Sequence, residues 1–255
     1  MKRTWEVQKL GTKENNIIDV NDPDKPIYRV FTLDRLFDTI ISKKLALVRP
    51  RLWQDPFENL LYQIPLRDKD GEAVSVDGLR NRLYGQCWTR ASVSDALWRI
   101  YSPHQTGVRA RSTTRKLLQA LWDAEDSAAH LKYFIGQVRY EAQGFLLKKF
   151  RDPQAVSAIL DSTGRAPVAS LLLKRKAFRH EQEVRLIFHS GKDMQQDVVF
   201  FPIDPNAVFD SLLFDPRMDP TTVSTFEGIL RQNGFMKRIS QSTLYAAPKL
   251  QSQTL

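Results

Sequence analysis

The stretch FRHEQEVRLIF (178–188) places Glu181, Glu183 and Arg185 on one set of alternate positions and Val184, Leu186 and Phe188 on the other. A period of two is a strand pattern. A strand with one apolar side has to lie in a sheet that packs that side on a core. Its charged side is then either solvated surface laced by cross-strand ion pairs, or the floor of a site that holds a carboxylate rigidly. Two carboxylates about 7 Å apart along such a face repel when they converge, and one pKa rises unless a cation stands nearby. Arg179 and Arg185 are the cations this stretch offers.

The turn cluster NDPDKP (21–26) separates a loosely patterned start from IYRVF (27–31), a predicted strand. TLDRLFDTIISKK (32–44) follows as a helix, with Thr32 as N-cap, Asp34 in its first turn, and Leu33, Leu36, Phe37, Ile40 and Ile41 on its core face. LALVRP (45–50) is extended, RLWQDPFENLLYQI (51–64) is a loop turning into a short apolar run, and VDGLRNR (76–82) is a connection. LYGQCWT (83–89) reads as a strand and DALWRIYS (95–102) as a helix capped by Ser94 and ended near Pro103. TGVRARS (106–112) is a strand, and TRKLLQALWDAEDSA (114–128) is a helix with Leu117, Leu118, Leu121 and Trp122 inward. FIGQVRYE (134–141) is a strand, 153–160 and 168–176 are helical, and DVVFFPI (197–203) is the expected partner of 178–188. DSLLFDP (210–216), a helix over 220–232 and MKRISQSTLY (236–245) complete the pattern. Strands and helices intermix without a regular βαβ period. That predicts one α+β domain over 27–255, behind an N-terminal extension at 1–26, and not a doubly wound sheet.

No run approaches the roughly 18 apolar residues of a membrane span, and the first residues lack the apolar core of a secretory signal. The single cysteine, Cys87, forms no intrachain disulfide and no cysteine-cluster metal site, which favours a cytoplasmic setting. Thirty-eight Lys and Arg against 29 acids give a net charge of +9. Such an excess suits an anionic partner such as nucleic acid, or serves solubility alone. Its densest groups are LLKKFR (146–151) and LKRKAFRH (173–180). P-loop, G-x-G-x-x-G, G-x-S-x-G and H-E-x-x-H patterns are absent, and His104, His130, His180 and His189 lack metal-ligand spacing. Cys87, inside an apolar strand, reads as a packed, inert thiol.

Four clusters carry polar or aromatic groups in unusual places. Arg29, beside Tyr28 in a short strand, suits a bidentate grip on phosphate or ribose oxygens, or is an ordinary solvent-facing arginine. Trp53, Asp55, Phe57 and Asn59 gather in one loop, which either closes over a ligand or is anchored to the core by its aromatics. Thr89 and Ser92 end a strand where hydroxyls can face a pocket, and Trp98 and Tyr101 follow three apart on a helix, a spacing common in cores. Glu181, Glu183 and Arg185 are the fourth cluster.

In this order the clusters resemble a widespread, poorly characterised bacterial family. Its pattern is a tyrosine-basic pair, an N-D-P-F-E loop, C-F-[ST], W-x-x-Y, then a lysine and E-x-E-x-R. The counterparts here are Tyr28-Arg29, Gln54-Asp55-Pro56-Phe57-Glu58, Cys87-Trp88-Thr89, Trp98 to Tyr101, Gly107 and Glu181-Gln182-Glu183-Val184-Arg185, with Gln54 departing from asparagine. FPIDPNAV and SLLFDPRM resemble that family's tail. IYRVFTLDRLFDTIISKKLAL is also similar to the opening of DNA-targeting ADP-ribosyltransferase toxins, and Arg29, Thr89 or Ser92, and Glu181 with Glu183 follow the arginine, serine, E-x-E order of ADP-ribosyltransferases. WTRAS stands where an S-T-S motif is expected. The resemblance implies a split mixed β-sheet with flanking helices, NAD as substrate, a macromolecular acceptor such as nucleic acid, no resident metal, and a toxin or phage-defence setting. It implies Glu183 and Glu181 as catalytic residues, with Tyr28, Arg29, Trp53, Asp55, Phe57, Thr89, Ser92, Trp98 and Tyr101 holding NAD. Two other readings stand beside it. One is a nucleic-acid-binding protein or metal-dependent nuclease, with Asp55 or Glu58 as a third carboxylate. The other is an interaction module in which Trp53, Trp88 and Trp98 are core.

Overall fold

The computed structural model describes residues 13–53, 55–58, 66–67, 70–74, 78, 81–92, 94–124, 129–152 and 163–248. In chain order the strands are β1 Ile17–Ile18, β2 Pro26–Phe31, β3 Lys44–Val48, β4 Leu66–Arg67, β5 Ala73–Val74, β6 Leu83–Thr89, β7 Val108–Thr113, β8 Tyr133–Gln137, β9 Arg139–Glu141, β10 Leu173–Arg175, β11 Glu183–His189, β12 Val198–Pro202, β13 Ser211–Phe214 and β14 Arg238–Gln241. The helices are α1 Leu33–Ser42, α2 Asp95–Tyr101, α3 Thr114–Asp123, α4 Ala129–Lys132, α5 Gln143–Phe150, α6 Arg165–Ser170, α7 Pro205–Val208 and α8 Pro220–Gln232. A 3-10 turn at Lys176–Glu181 leads into β11.

Ten strands form one mixed sheet in the order β1-β8-β11-β6-β2-β7-β13-β14, with β3 paired to β6 and carrying β12. β11 is central: it runs antiparallel to β6 from Glu183↔Thr89 to His189↔Leu83, and antiparallel to β8 on its other edge. Both faces of β11 are buried. Val184, Leu186 and Phe188 join a large core with α1, α3 and α8. Ile187 joins a second core on the other face, built with Leu146 and Phe150 of α5 and Val168 of α6. Glu183 and Arg185 share that second face, so the charged half of the strand lies under protein and not under water.

β6 forks. Its last residue pairs with β2 at Tyr28↔Thr89, and its third residue pairs with β3 at Val48↔Gly85. Between those points, among the described residues, β6 has no neighbouring strand on that side, and the sheet opens there.

Several expectations give way to tertiary contacts. The segment 178–188 is not one strand: residues to Glu181 form the 3-10 turn, Gln182 turns left-handed at φ 45°, and the strand begins at Glu183. Its partners are β6 and β8, whereas β12 pairs with β3. FIGQVRYE breaks at Val138 into β8 and β9, and β9 leaves the main sheet to pair in parallel with β10. The helix expected at 168–176 ends at Ser170, because the following residues enter β10. LLKKFR belongs to α5, a helix the pattern reading passed over. Ile41 is exposed, and Thr32 sits at the N-cap of α1 without its side chain bonding the helix start. β1 joins the same sheet through β8. The expected helix at 153–160, Gln54 and Asn59 lie outside the described residues. Other readings hold: α8 spans 220–232, Ser94 Oγ accepts the Leu97 N–H, and Leu117, Leu118 and Leu121 are buried.

Gly85, opposite Ile187 in the register, is a packing requirement. A Cβ there would stand 2.7 Å from Trp53 Cζ2, and the Arg185 guanidinium lies over the indole ring at 4.5 Å. Gly85→Ala is therefore expected to destabilise the protein by about 1–3 kcal/mol, measured by urea unfolding. A change within a few tenths would mean that Trp53 moves aside at no cost.

Candidate active site

The left-handed turn at Gln182 brings two carboxylates to one place from two elements. Glu181 ends the 3-10 turn and Glu183 starts β11. The turn is held by its backbone, since the Gln182 N–H donates to the Arg179 carbonyl (3.3 Å) and the Arg90 N–H donates to the Gln182 carbonyl (3.0 Å). Thr89 Oγ1 donates to the Glu181 carbonyl, and the Glu183 N–H donates to Tyr140 Oη at 2.7 Å.

Both acids belong to a buried ion cluster. Lys174 Nζ on β10 stands 2.6 Å from Glu181 Oε2, 2.9 Å from Glu58 Oε1 and 3.3 Å from Glu183 Oε1. Arg185 donates to Glu183 Oε2 from Nε (2.9 Å) and Nη2 (2.5 Å), to Glu58 Oε1 from Nη2 (2.6 Å), and to the Leu171 carbonyl from Nη1 (2.5 Å). Its guanidinium lies over the Trp53 ring at 4.5 Å. Arg185 is fully buried, with 0% of its surface exposed. Three carboxylates face two cations, which leaves one negative charge in excess.

That excess divides the acids. Burial opposes the charge on both. For Glu183 the Arg185 and Lys174 charges outweigh burial and hold its carboxyl below the ordinary value. For Glu181 burial wins, with the Glu183 charge beside it, and its carboxyl is pushed up. A pair of acids with pKa values driven apart is a recurrent arrangement in acid–base sites. Lys174 is driven the other way: burial disfavours its charge, but Glu183 and Glu58 raise its pKa above the ordinary 10.5.

The two acids reach a cleft of about 390 Å³ at the fork of the sheet, which Tyr28, Arg29, Cys87, Thr89 and Tyr101 also line. Arg29 and Glu183 thus share one pocket. The Arg29 Nη1 donates to the Cys87 carbonyl, a backbone group exposed by the fork. Tyr28 is stacked under Arg109, whose guanidinium lies 4.6 Å from the ring centroid. Tyr101 comes from α2, whose C-terminal end is clamped: Ser102 Oγ donates to Asp215 Oδ2 at 2.6 Å, and Arg217 bonds Asp215 and the Ser102 carbonyl. Burial and the two acids raise the Tyr101 pKa, so it remains a neutral hydroxyl. Cys87 also lines the cleft, with burial pushing its thiol up to about 12, a value that keeps it protonated.

The remaining expected residues lie elsewhere. Trp53 packs beneath Arg185, and Asp55 accepts from Arg175 (2.8 Å), whose guanidinium covers Phe57 at 4.5 Å; this loop braces the ion cluster and does not line the cleft. Trp98 is in the core and Ser92 is exposed outside the cleft. Arg179, offered as the cation for the two acids, is exposed, and Lys174 takes that role. Lys174 is the site residue the pattern left unassigned, while Glu58, one of the two candidates for a third carboxylate, takes that place beside Glu181 and Glu183. The lysine sits seven residues before Glu181, and the signal available was the lysine that precedes E-x-E-x-R in the resembled pattern. Among the described residues no group of His, Cys, Asp and Glu is placed to hold a metal ion. Lys174 Nζ occupies the point where Glu58, Glu181 and Glu183 converge.

No family model matches the chain, and no curated protein matches it. Among solved structures it is similar to Thermus sp. 2.9 DarT in complex with NAD+, at 14% identity over 88% of this chain and 98% of that chain, with a TM-score of 0.41. The same protein in complex with ADP-ribosylated ssDNA is similar at 14% identity over 87% and 95%, again with a TM-score of 0.41. At that identity and overlap the likeness does not bear on the chemistry of the cleft.

Removing Lys174 strands three buried carboxylates. Lys174→Met is expected to cost about 3–5 kcal/mol in urea unfolding at pH 7. Glu183 supplies the pH signature. Its folded pKa is depressed, so its stabilising contribution is complete above the ordinary 4.5 and is lost as pH falls through the folded value below that. The stability gap between wild type and Glu183→Gln should therefore be full above pH 4.5, narrow as pH falls below it, and be lost by the folded value. A gap that widens on acidification would show that the cluster does not hold Glu183 charged.

Proposed function

We propose that this protein cleaves NAD at the nicotinamide–ribose bond and transfers ADP-ribose to a macromolecular acceptor. The observation that carries the reading is the convergence of Arg29, Glu181 and Glu183 on one cleft at the fork of the sheet. The bond breaks with its electron pair leaving on the nicotinamide nitrogen, and positive charge develops on the ribose, as in glycoside hydrolysis. A carboxylate fixed in its charged form stabilises that state, and Glu183 is held charged by Arg185 and Lys174. An acceptor nucleophile then bonds the ribose C1′ and gives up a proton. Glu181, whose proton affinity is raised, is placed to take it. Arg29, Tyr28, Thr89 and Tyr101 supply donors for ribose and phosphate oxygens around the same cleft.

The acceptor in this reading is nucleic acid. The net charge of +9 favours it, and the 3-10 turn that ends at Glu181 exposes Lys176, Arg179 and His180 beside the cleft. A toxin or phage-defence setting is part of the proposal and is supported by the sequence resemblance alone. The nuclease alternative needs a metal between the three carboxylates, where the Lys174 ammonium stands.

The test is nicotinamide release from NAD by purified protein, alone and with DNA, RNA or lysate. Glu181→Gln is expected to lower transfer roughly 100-fold or more, and Arg29→Lys to raise KM for NAD. Glu183→Gln should abolish release but also lose stability, so the thermal midpoint of each variant is measured beside its activity. A folded wild-type protein that releases no nicotinamide under any of these conditions overturns the reading. Nucleic-acid binding with a steep salt dependence and no NAD requirement would then be the function to pursue.

A further inference from the structure

A second, wider groove, with about 1130 Å³ of open space, also has Arg29 in its wall. Gln86 and Phe31 line it, and by strand alternation they face away from Cys87, Thr89 and Tyr28. The two openings therefore lie on opposite faces of the sheet, and Arg29 stands in the fork between them.

Arg29 is half-buried, and its hydrogen bonding is incomplete. Its Nη1 has the Cys87 carbonyl, but its Nε is buried with no hydrogen-bond partner, and among the described residues it forms no ion pair. A buried guanidinium nitrogen with an unmet donor is stabilised by an anion that completes it. The two openings differ in how well they receive one. In the cleft Arg29 faces Glu181 and Glu183, whose charges Lys174 and Arg185 largely offset. The groove carries Arg29, Arg35 and Lys44 against Asp38 alone. Arg35 and Lys44 are exposed, one from α1 and the other from β3, and among the described residues neither approaches a carboxylate closer than the 3.9 Å contact of Arg35 with Asp34. Phe200 on β12 adds an aromatic ring to the same groove and is 57% exposed, a wasteful position for a phenylalanine in water.

The geometry points to this groove as a nucleotide site, with phosphate held by Arg29, Lys44 and Arg35 and the base laid against Phe200. A phosphate matches the three cations, and a flat aromatic base matches an exposed ring next to them. The phosphate has two sources: the diphosphate of NAD reaching round Arg29 from the cleft, or a separate nucleotide. The inference extends the NAD reading without depending on it, because binding is measured without turnover.

AMP, adenosine and inorganic pyrophosphate are the probes, titrated into the full chain by calorimetry at low salt. AMP should bind at least tenfold more tightly than adenosine, and Lys44→Ala and Arg35→Ala should each weaken AMP about tenfold. Phe200→Ala should weaken AMP and spare pyrophosphate. All three side chains are exposed, so unchanged thermal midpoints are expected for these variants. Saturating NAD then identifies the source: displacement of AMP assigns the groove to the phosphates of NAD, and undisturbed AMP binding assigns it to a second nucleotide. Equal binding of AMP and adenosine, no binding of either, or AMP affinity unchanged in the Lys44→Ala/Arg35→Ala double variant overturns the proposal. A protein that binds AMP as described yet releases no nicotinamide keeps this site and loses the NAD reading.

Discussion

The Arg185 guanidinium, buried at the centre of the sheet, is the contact on which the site depends. It bonds Glu183 on its own strand, Glu58 from the 55–58 turn and the Leu171 carbonyl beyond α6. Taking such a charge out of water costs several kcal/mol, and only a full set of partners returns it. Lys174 closes the set by bridging the same two acids and adding Glu181. Segments far apart in sequence are thereby fixed to one point, with a precision that hydrophobic packing alone does not impose. Trp53 beneath the guanidinium and the close approach to Gly85 complete the seat.

The fork of β6 is the second constraint, and it gives the cluster something to act on. A continuous sheet would bury the Glu183 end of β11 entirely. Because β2 and β3 diverge on either side of Gly85 and Thr89, the sheet opens next to the two acids, and Arg29 occupies the gap. One residue then belongs to two openings, one beside the buried ion cluster and the other rimmed by Arg35 and Lys44.

Much of the scaffold was legible because local physics decides it. The apolar spacing of α1 and the cap at Ser94 are properties of neighbouring residues, and tertiary contacts leave them in place. What failed did so where a tertiary contact overrode local pattern. Alternation in 178–188 suggested one half-exposed strand, yet Gln182 turns left-handed because the Arg90 and Arg179 backbones hold it there. For the loop aromatics Trp53 and Phe57 the sequence left open a lid over a ligand or an anchor to the core, and they lie against Arg185 and Arg175, with Trp53 on the second core.

By itself the sequence determined the residue types of the site and their order: an arginine on an early strand, a hydroxyl at a strand end, and two acids before an apolar run. Periodicity is a nearest-neighbour property, so it also determined most helices and strands. Only the tertiary structure decided that Arg29 and Glu183 meet, that Lys174 and not Arg179 stands between the acids, and that the two acids differ in proton affinity. Those facts depend on strand order and on burial, which set the distance between charges and the dielectric around them. Neither quantity is written in the spacing of residues along a chain.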